Sequence, residues 1–93
     1  MTDPGGKPVY YVYIAQCKYG TYYTGWTNDI TNRMVEHNRG SGAKYLRGKS
    51  PVILVYKKKY RTARQAQARE RWIKKLTREK KEALVISYKL GGV

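Results

Sequence analysis

The chain contains no phenylalanine, one histidine, one cysteine and three prolines, and only six of its 93 residues are acidic. A lone Cys17 permits no disulfide within the chain, and one Cys with one His cannot build a tetrahedral zinc cluster. The lack of a disulfide framework suits a reducing compartment. Long hydrophobic runs are missing too. The longest, Val9–Ala15, is seven residues, against the roughly 20 a membrane-crossing helix needs. The first residues lack the apolar stretch of a secretory signal. The expectation is a cytoplasmic protein with no membrane partner.

What is present is tyrosine and positive charge. Ten Tyr and two Trp supply all the aromatic rings. A tyrosine has an apolar body and a polar tip, so it can line a wet site as well as a core. Hydrophobic residues make up 41% of the chain, enough for one small packed domain rather than a disordered segment. The net charge is +14, and residues 44–81 hold 15 Lys and Arg against two Glu, so +13 of it lies there. Charge concentrated in this way points to a polyanion, DNA or RNA first and an anionic membrane second.

The pattern divides into short elements. Residues 1–8, with Pro4, Gly5, Gly6 and Pro8, read as a loose lead-in. Residues 9–16 are β-branched and aromatic and read as a strand covered on both faces. Lys18-Tyr19-Gly20 is a turn, and residues 21–26 return as the second strand of a hairpin. Residues 29–38 read as a helix capped by Asp29 and ended by Gly40. Its inward stripe is Ile30, Arg33, Met34 and His37. Residues 39–51 are expected to be a flexible, positive loop, and residues 52–58 a third strand whose lysine end emerges into solvent. A capping box at Thr62 and Gln65 opens a second helix running to about Lys75. A third, capped by Thr77, runs to about Tyr88, and residues 91–93 should fray. On the second helix Ala63, Ala66, Glu70 and Ile73 share a stripe, so Glu70 stands where an apolar residue is wanted.

Cutting a phosphodiester requires a proton acceptor for the attacking water and positive charge on the developing phosphorane. A hard divalent cation keeps most of its waters and needs as little as one carboxylate plus the substrate phosphate. Glu70 is the candidate carboxylate. Arg33 has the fork geometry for a phosphate. His37, Tyr13 and Tyr23 have groups that can orient water or move protons.

The order Tyr13-x9-Tyr23-Thr24-Gly25, Arg33-x3-His37, GSGAKYLRG and then Glu70 on a helix resembles the GIY-YIG nuclease superfamily, specifically its small stand-alone bacterial members. The resemblance spans about residues 9–85. It implies an α/β (α+β) fold: a three-stranded antiparallel sheet flanked by about three helices, with a nuclease domain over residues 9–88 between flexible ends. It also implies one-step hydrolysis of DNA with Mg2+ or Mn2+ and no small-molecule cofactor. Tyr13 and Tyr23 match the family's two tyrosines, Gly25 its second glycine, Arg33 its phosphate-contacting arginine and Glu70 its metal-holding carboxylate. His37 matches a histidine found in many members. Tyr11 stands where the family has a glycine. Lys44, Arg47 and Lys49 on the loop, with Arg71, Lys74 and Arg78 on the later helices, are the expected phosphate track, and Gly25 is expected to bind nucleic acid with them. The expected site is one concave, solvent-reachable surface holding both tyrosine hydroxyls, the Arg33 guanidinium and the Glu70 carboxylate. The rival reading is a DNA- or RNA-binding module that keeps the fold without catalysis. A basic ribosome-associated protein accounts for the charge but not for the constellation.

Overall fold

The computed structural model describes residue 2 and residues 4–91. Three strands, β1 (Tyr10–Gln16), β2 (Tyr22–Thr27) and β3 (Ile53–Tyr60), form an antiparallel sheet with the order β2-β1-β3. The helices are α1 (Ile30–Arg39), α2 (Ala63–Lys74) and α3 (Arg78–Lys89). The expected α+β architecture is therefore found. No helix among the described residues is long and apolar enough to cross a membrane.

Each helix begins where its side-chain cap predicts. Asp29 accepts the Asn32 N–H, Thr62 that of Gln65 and Thr77 that of Lys80. Each such cap is worth about 1 kcal/mol. Gly40 closes α1 with φ 81°, the left-handed conformation that glycine adopts without steric cost.

The alternation of β1 separates two cores. Val12 and Ile14 point to one face, where Val55, Tyr56, Ile73 and Val85 join them under α2 and α3. Tyr13 and Ala15 point to the other, with Cys17, Ile30, Leu46 and Val52. The central strand is thus covered on both faces, as its continuous apolar run requires. The β1–β3 register shifts at Ile14/Ala15, where Val55 is the extra residue. This bulge lets the successive residues Val55 and Tyr56 both serve the α2/α3 core.

Two expectations need correction. Residues 39–51 are not a free loop. Ser41 and Gly42 donate to the Glu36 carbonyl, a 3-10 turn covers Lys44–Leu46, and Leu46 is 1% exposed. The Asn38 side chain then ties the loop's far end, accepting from Val52 N–H at 2.7 Å and donating to its carbonyl at 2.9 Å. Strand β3 also continues to Tyr60 instead of leaving the sheet at 58, because Lys57–Tyr60 pair with the first half of β1. Near the chain ends, Thr2 bridges Pro8 and the Gly91 N–H donates to the Tyr88 carbonyl after α3, while Met1, Asp3, Gly92 and Val93 lie outside the described residues.

Candidate active site

Tyr13 pairs with Gly25 across the hairpin, and Tyr23 pairs with Ala15. Side chains two residues apart on a strand share a face. Tyr13 and Tyr23 therefore both face α1, with ring centroids 6.3 Å apart. His37 on α1 completes the group, its ring 5.9 Å from Tyr13 and edge-on to Tyr23 at 5.5 Å.

Two glycines make room for this. A Cβ on Gly25 would lie 2.7 Å from the Tyr13 hydroxyl and 2.9 Å from its ring carbon Cζ. Gly25 is thus the floor on which the Tyr13 ring rests, a steric role distinct from phosphate contact. A Cβ on Gly42 would collide with His37 Nδ1 and lie 3.0 Å from Cε1. Gly42 was not singled out by sequence reasoning. Its signal was the surplus of glycine in the loop, which composition reads as flexibility. Gly25→Ala should leave the sheet intact yet displace the Tyr13 hydroxyl, which a loss of the Tyr13–His37 contact in NMR spectra would report.

The hydrogen bonds fix the imidazole's proton. The Ala43 N–H donates to His37 Nδ1 at 3.3 Å, and Nε2 lies 2.7 Å from the Tyr13 hydroxyl oxygen. An accepting Nδ1 leaves the proton on Nε2 of a neutral ring, so Nε2–H donates to the Tyr13 oxygen. Tyr13 keeps its own proton free for another acceptor. Burial, and then the Arg33 charge, hold the His37 pKa below its usual value. Burial first, and then Tyr23, raise the Tyr13 pKa well above the ordinary phenol range; Arg33 works against this and Glu70 and Glu36 add to it. Burial and Glu70 raise Tyr23 as well, again opposed by Arg33. Both tyrosines thus feel both charges, the Arg33 cation and the Glu70 carboxylate acting in opposite senses.

His37 carries a stability prediction. Its folded pKa lies below the unfolded value of about 6.5, so the unfolded chain binds more protons as pH falls. The contribution is complete above pH 6.5 and is lost as pH falls through the folded pKa. For one proton the slope is at most about 1.4 kcal/mol per pH unit. As the chain has one histidine, melting temperature should drop between pH 7 and 5, and His37→Gln should flatten that stretch. An unchanged slope in the variant would refute the assignment.

The charged residues occupy the rim. Arg33 is half-exposed, 3.7 Å from Glu36, beside a depression of about 290 Å3 shared with Tyr10, Trp26, Thr27 and Asn28. The Glu70 side chain is 19% exposed and lies 3.7 Å from the Lys74 ammonium. Glu70's place in an otherwise apolar stripe leaves it half-buried, between Ala66 and Ile73, which are fully buried. The expectation of one shared, reachable surface is not met: Arg33 borders the depression beside Trp26, Tyr23 borders another, and Tyr13 is 1% exposed. Its hydroxyl lies beneath the surface, sealed by Gly25 and His37, while Tyr23 reaches the rim.

The expected phosphate track is partly assembled. Lys74 borders a depression of about 330 Å3 with Tyr22, Tyr23, Thr24, Tyr45 and Lys81. Tyr45 stacks on Tyr23 with an interplanar angle of 21°, and the Lys49 ammonium sits 3.5 Å over the Tyr45 ring. Tyr45 and Lys81 were missed by sequence reasoning because nothing local marks them. Lys44, Arg47 and Arg71 are exposed. Arg78 is committed elsewhere: its Nη2 donates to the Gly20 carbonyl at 2.9 Å and its Nε to Glu82 at 3.0 Å, and its guanidinium covers Tyr22. It clamps α3 to the β1–β2 turn.

The donor set accommodates a hydrated hard cation. No group of three His, Cys, Asp or Glu among the described residues could enclose a metal, which argues against a caged or zinc-type site. A single reachable carboxylate is what Mg2+ or Mn2+ needs when water and phosphate fill the remaining positions. Glu70 would be the protein ligand.

Comparison with known proteins finds matches over most of the chain. The GIY-YIG catalytic domain matches residues 9–83. A UPF0213 protein of Clostridium perfringens is 53% identical over 77 residues, covering 83% of each chain. One from Halobacterium salinarum is 47% identical over 76 residues, covering 82% of this chain and 99% of the other. Among solved structures, the UPF0213 protein of Bacillus halodurans has a TM-score of 0.55 at 44% identity, covering 83% of this chain and 82% of that one. A protein from E. faecalis has a TM-score of 0.60 at 38% identity, covering 90% of both.

Proposed function

We propose, from the premise that this chain belongs to the GIY-YIG nuclease family, that it is a divalent-metal-dependent endonuclease that hydrolyses DNA in one step. The family implies a nucleic-acid substrate and, in general, a divalent metal. The observation that carries the reading for this chain is the Tyr13–His37 pair, 2.7 Å apart in a buried setting under the influence of both Arg33 and Glu70.

Tyr13 is the proton acceptor for the attacking water. Its oxygen receives the His37 Nε2–H bond, which stabilises the charge left when the phenol proton departs. Tyr23, at the rim, orients the water. Arg33 holds a phosphate oxygen and offsets the charge that grows on it. Glu70 would hold the cation; when bound, such an ion supplies positive charge that acidifies its water and steadies the leaving oxygen. Lys44, Arg47, Lys49, Lys74 and Arg71 contribute phosphate contacts that position without reading sequence.

One observation favours a second reading, a non-catalytic DNA- or RNA-binding module. That observation is the burial of Tyr13. The two separate in one experiment. Purified chain with Mg2+ or Mn2+ should cut at least one of labelled duplex, branched or single-stranded DNA or RNA. Intact strands throughout, with binding retained, would leave the module.

Binding itself should weaken with salt. For duplex DNA, log K falls against log salt with a slope of about 0.9 per neutralised phosphate. Changing Lys44, Arg47 and Lys49 together to Ala should reduce that slope and weaken all sequences alike. A salt-independent affinity would contradict the track.

A further inference from the structure

A second basic cavity opens on the other side of the sheet, away from Tyr13, Tyr23 and His37. Its volume is about 280 Å3, and Tyr56, Lys58, Arg69, Leu84, Ser87 and Tyr88 line it together with Lys57. Tyr56, Leu84 and Tyr88 belong to the α2/α3 core, so the cavity lies between β3 and those two helices. Lys57 directs its ammonium elsewhere, 5.5 Å from the Tyr11 ring. Arg69 is the cation anchored in the lining; the Lys58 ammonium lies 5.8 Å from the Tyr60 ring, on the same side of the sheet.

Arg69 is the unusual member. Its Nη2 donates to the Tyr56 hydroxyl at 3.2 Å, and its guanidinium lies 4.2 Å from the centroid of the Trp72 ring. Its Nε is buried and has no hydrogen-bond partner, the one such side-chain atom among the described residues. Buried donors are nearly always satisfied, so an orphan calls for an explanation. None of the lining residues is acidic. A guanidinium held in place by a phenol and an indole, with no carboxylate to neutralise it, has its charge to spare.

The rest of the lining narrows the ligand. Ser87 and Tyr88 carry hydroxyls. Tyr56 and Tyr88 meet edge to face at 5.8 Å, and with Leu84 they form apolar walls. The volume exceeds what a bare phosphate ion fills. An anionic head on Arg69 and Lys58, with a flat or apolar body against Tyr56, Leu84 and Tyr88, matches this surface. Arginine suits phosphate oxygens through its fork of donors.

We propose that this cavity binds a phosphomonoester carried on a nucleoside. The source is either a free nucleoside monophosphate or the phosphorylated end of a nucleic-acid strand. The site lies outside the proposed catalytic cluster and does not depend on the nuclease reading.

The test is NMR titration of the full chain with thymidine, thymidine 5′-monophosphate, inorganic phosphate, and short oligothymidylates with a 5′-phosphate or a 5′-hydroxyl. The monophosphate should shift the amides of Lys58, Arg69, Ser87 and Tyr88, and thymidine should not. Arg69→Gln should weaken the monophosphate about tenfold, the scale of one charge-assisted hydrogen bond. Lys58→Gln, at an exposed position, should also weaken it and gives a variant whose folding is not at risk. A 5′-phosphate preference among the oligonucleotides identifies a strand end as the source; equal oligonucleotide binding with tight monophosphate binding identifies the free nucleotide. Thymidine binding as well as its monophosphate would overturn the proposal. So would shifts scattered over the basic surface, or affinity unchanged in both variants.

Discussion

Glu70→Gln is expected to remove metal-dependent cleavage while fold and DNA affinity persist. The substitution keeps the side-chain volume and exchanges a charged oxygen for a neutral amide. Glu70 lies between the fully buried Ala66 and Ile73 on α2, and its one ion-pair partner among the described residues is half-exposed Lys74 at 3.7 Å. That pair is close to the solvent and worth a fraction of a kcal/mol at most, so the variant should melt within a degree or two of the parent. A hydrated Mg2+ or Mn2+ held by Glu70 would lose its charged protein ligand, so its affinity should collapse. Cleavage undiminished in Glu70→Gln would mean that Glu70 serves only as the partner of Lys74.

The second large effect belongs to Arg33. Its guanidinium is half-exposed at the rim and its closest anion is Glu36, three residues on along the same helix. Losing this side chain removes little packing. In the reaction, however, it is the fixed cation for the charge that grows on the phosphorane. Removing one such preorganised stabiliser costs about 10²–10³ in rate. Arg33→Ala should therefore cut at least about a hundredfold more slowly, with DNA affinity reduced only by the share of one phosphate contact. Loss of binding and rate in equal proportion would reduce Arg33 to one more member of the basic track.

The fold was largely legible because its signals are local. Asp29, Thr62 and Thr77 cap their helices through the next turn's N–H groups, and those contacts span three residues. The period of two in β1 and β2 puts Tyr13 and Tyr23 on one face without any knowledge of the rest. What escaped the sequence depends on contacts between distant residues. The loop after α1 is ordered by Asn38 and Val52, which are 14 residues apart, and by Leu46, whose burial no local pattern announces. Gly42 looks like a flexible link until the His37 ring is seen against it. Arg78 reads as a phosphate contact by charge, yet the Gly20 carbonyl, 58 residues away, takes one of its donors. Tyr13 was expected at the surface because its proposed role is chemical. The close pairing with Gly25 and the His37 bond draw it beneath the surface.

The same burial decides how the proposed chemistry should respond to pH. With its pKa raised well above the phenol norm, Tyr13 is protonated at neutral pH, and its own proton must leave before its oxygen can take one from the attacking water. His37, held neutral by burial and Arg33, adds no second ionisation above pH 7. The most direct measurement is the single-turnover cleavage rate from pH 6.5 to 9 for the parent and for Tyr13→Phe, which loses only a hydroxyl. The parent's log rate should climb by about one per pH unit, as a single deprotonation requires, and Tyr13→Phe should be slow and flat. A Tyr13→Phe profile that keeps both the parent's slope and its rate would contradict Tyr13 as the proton acceptor.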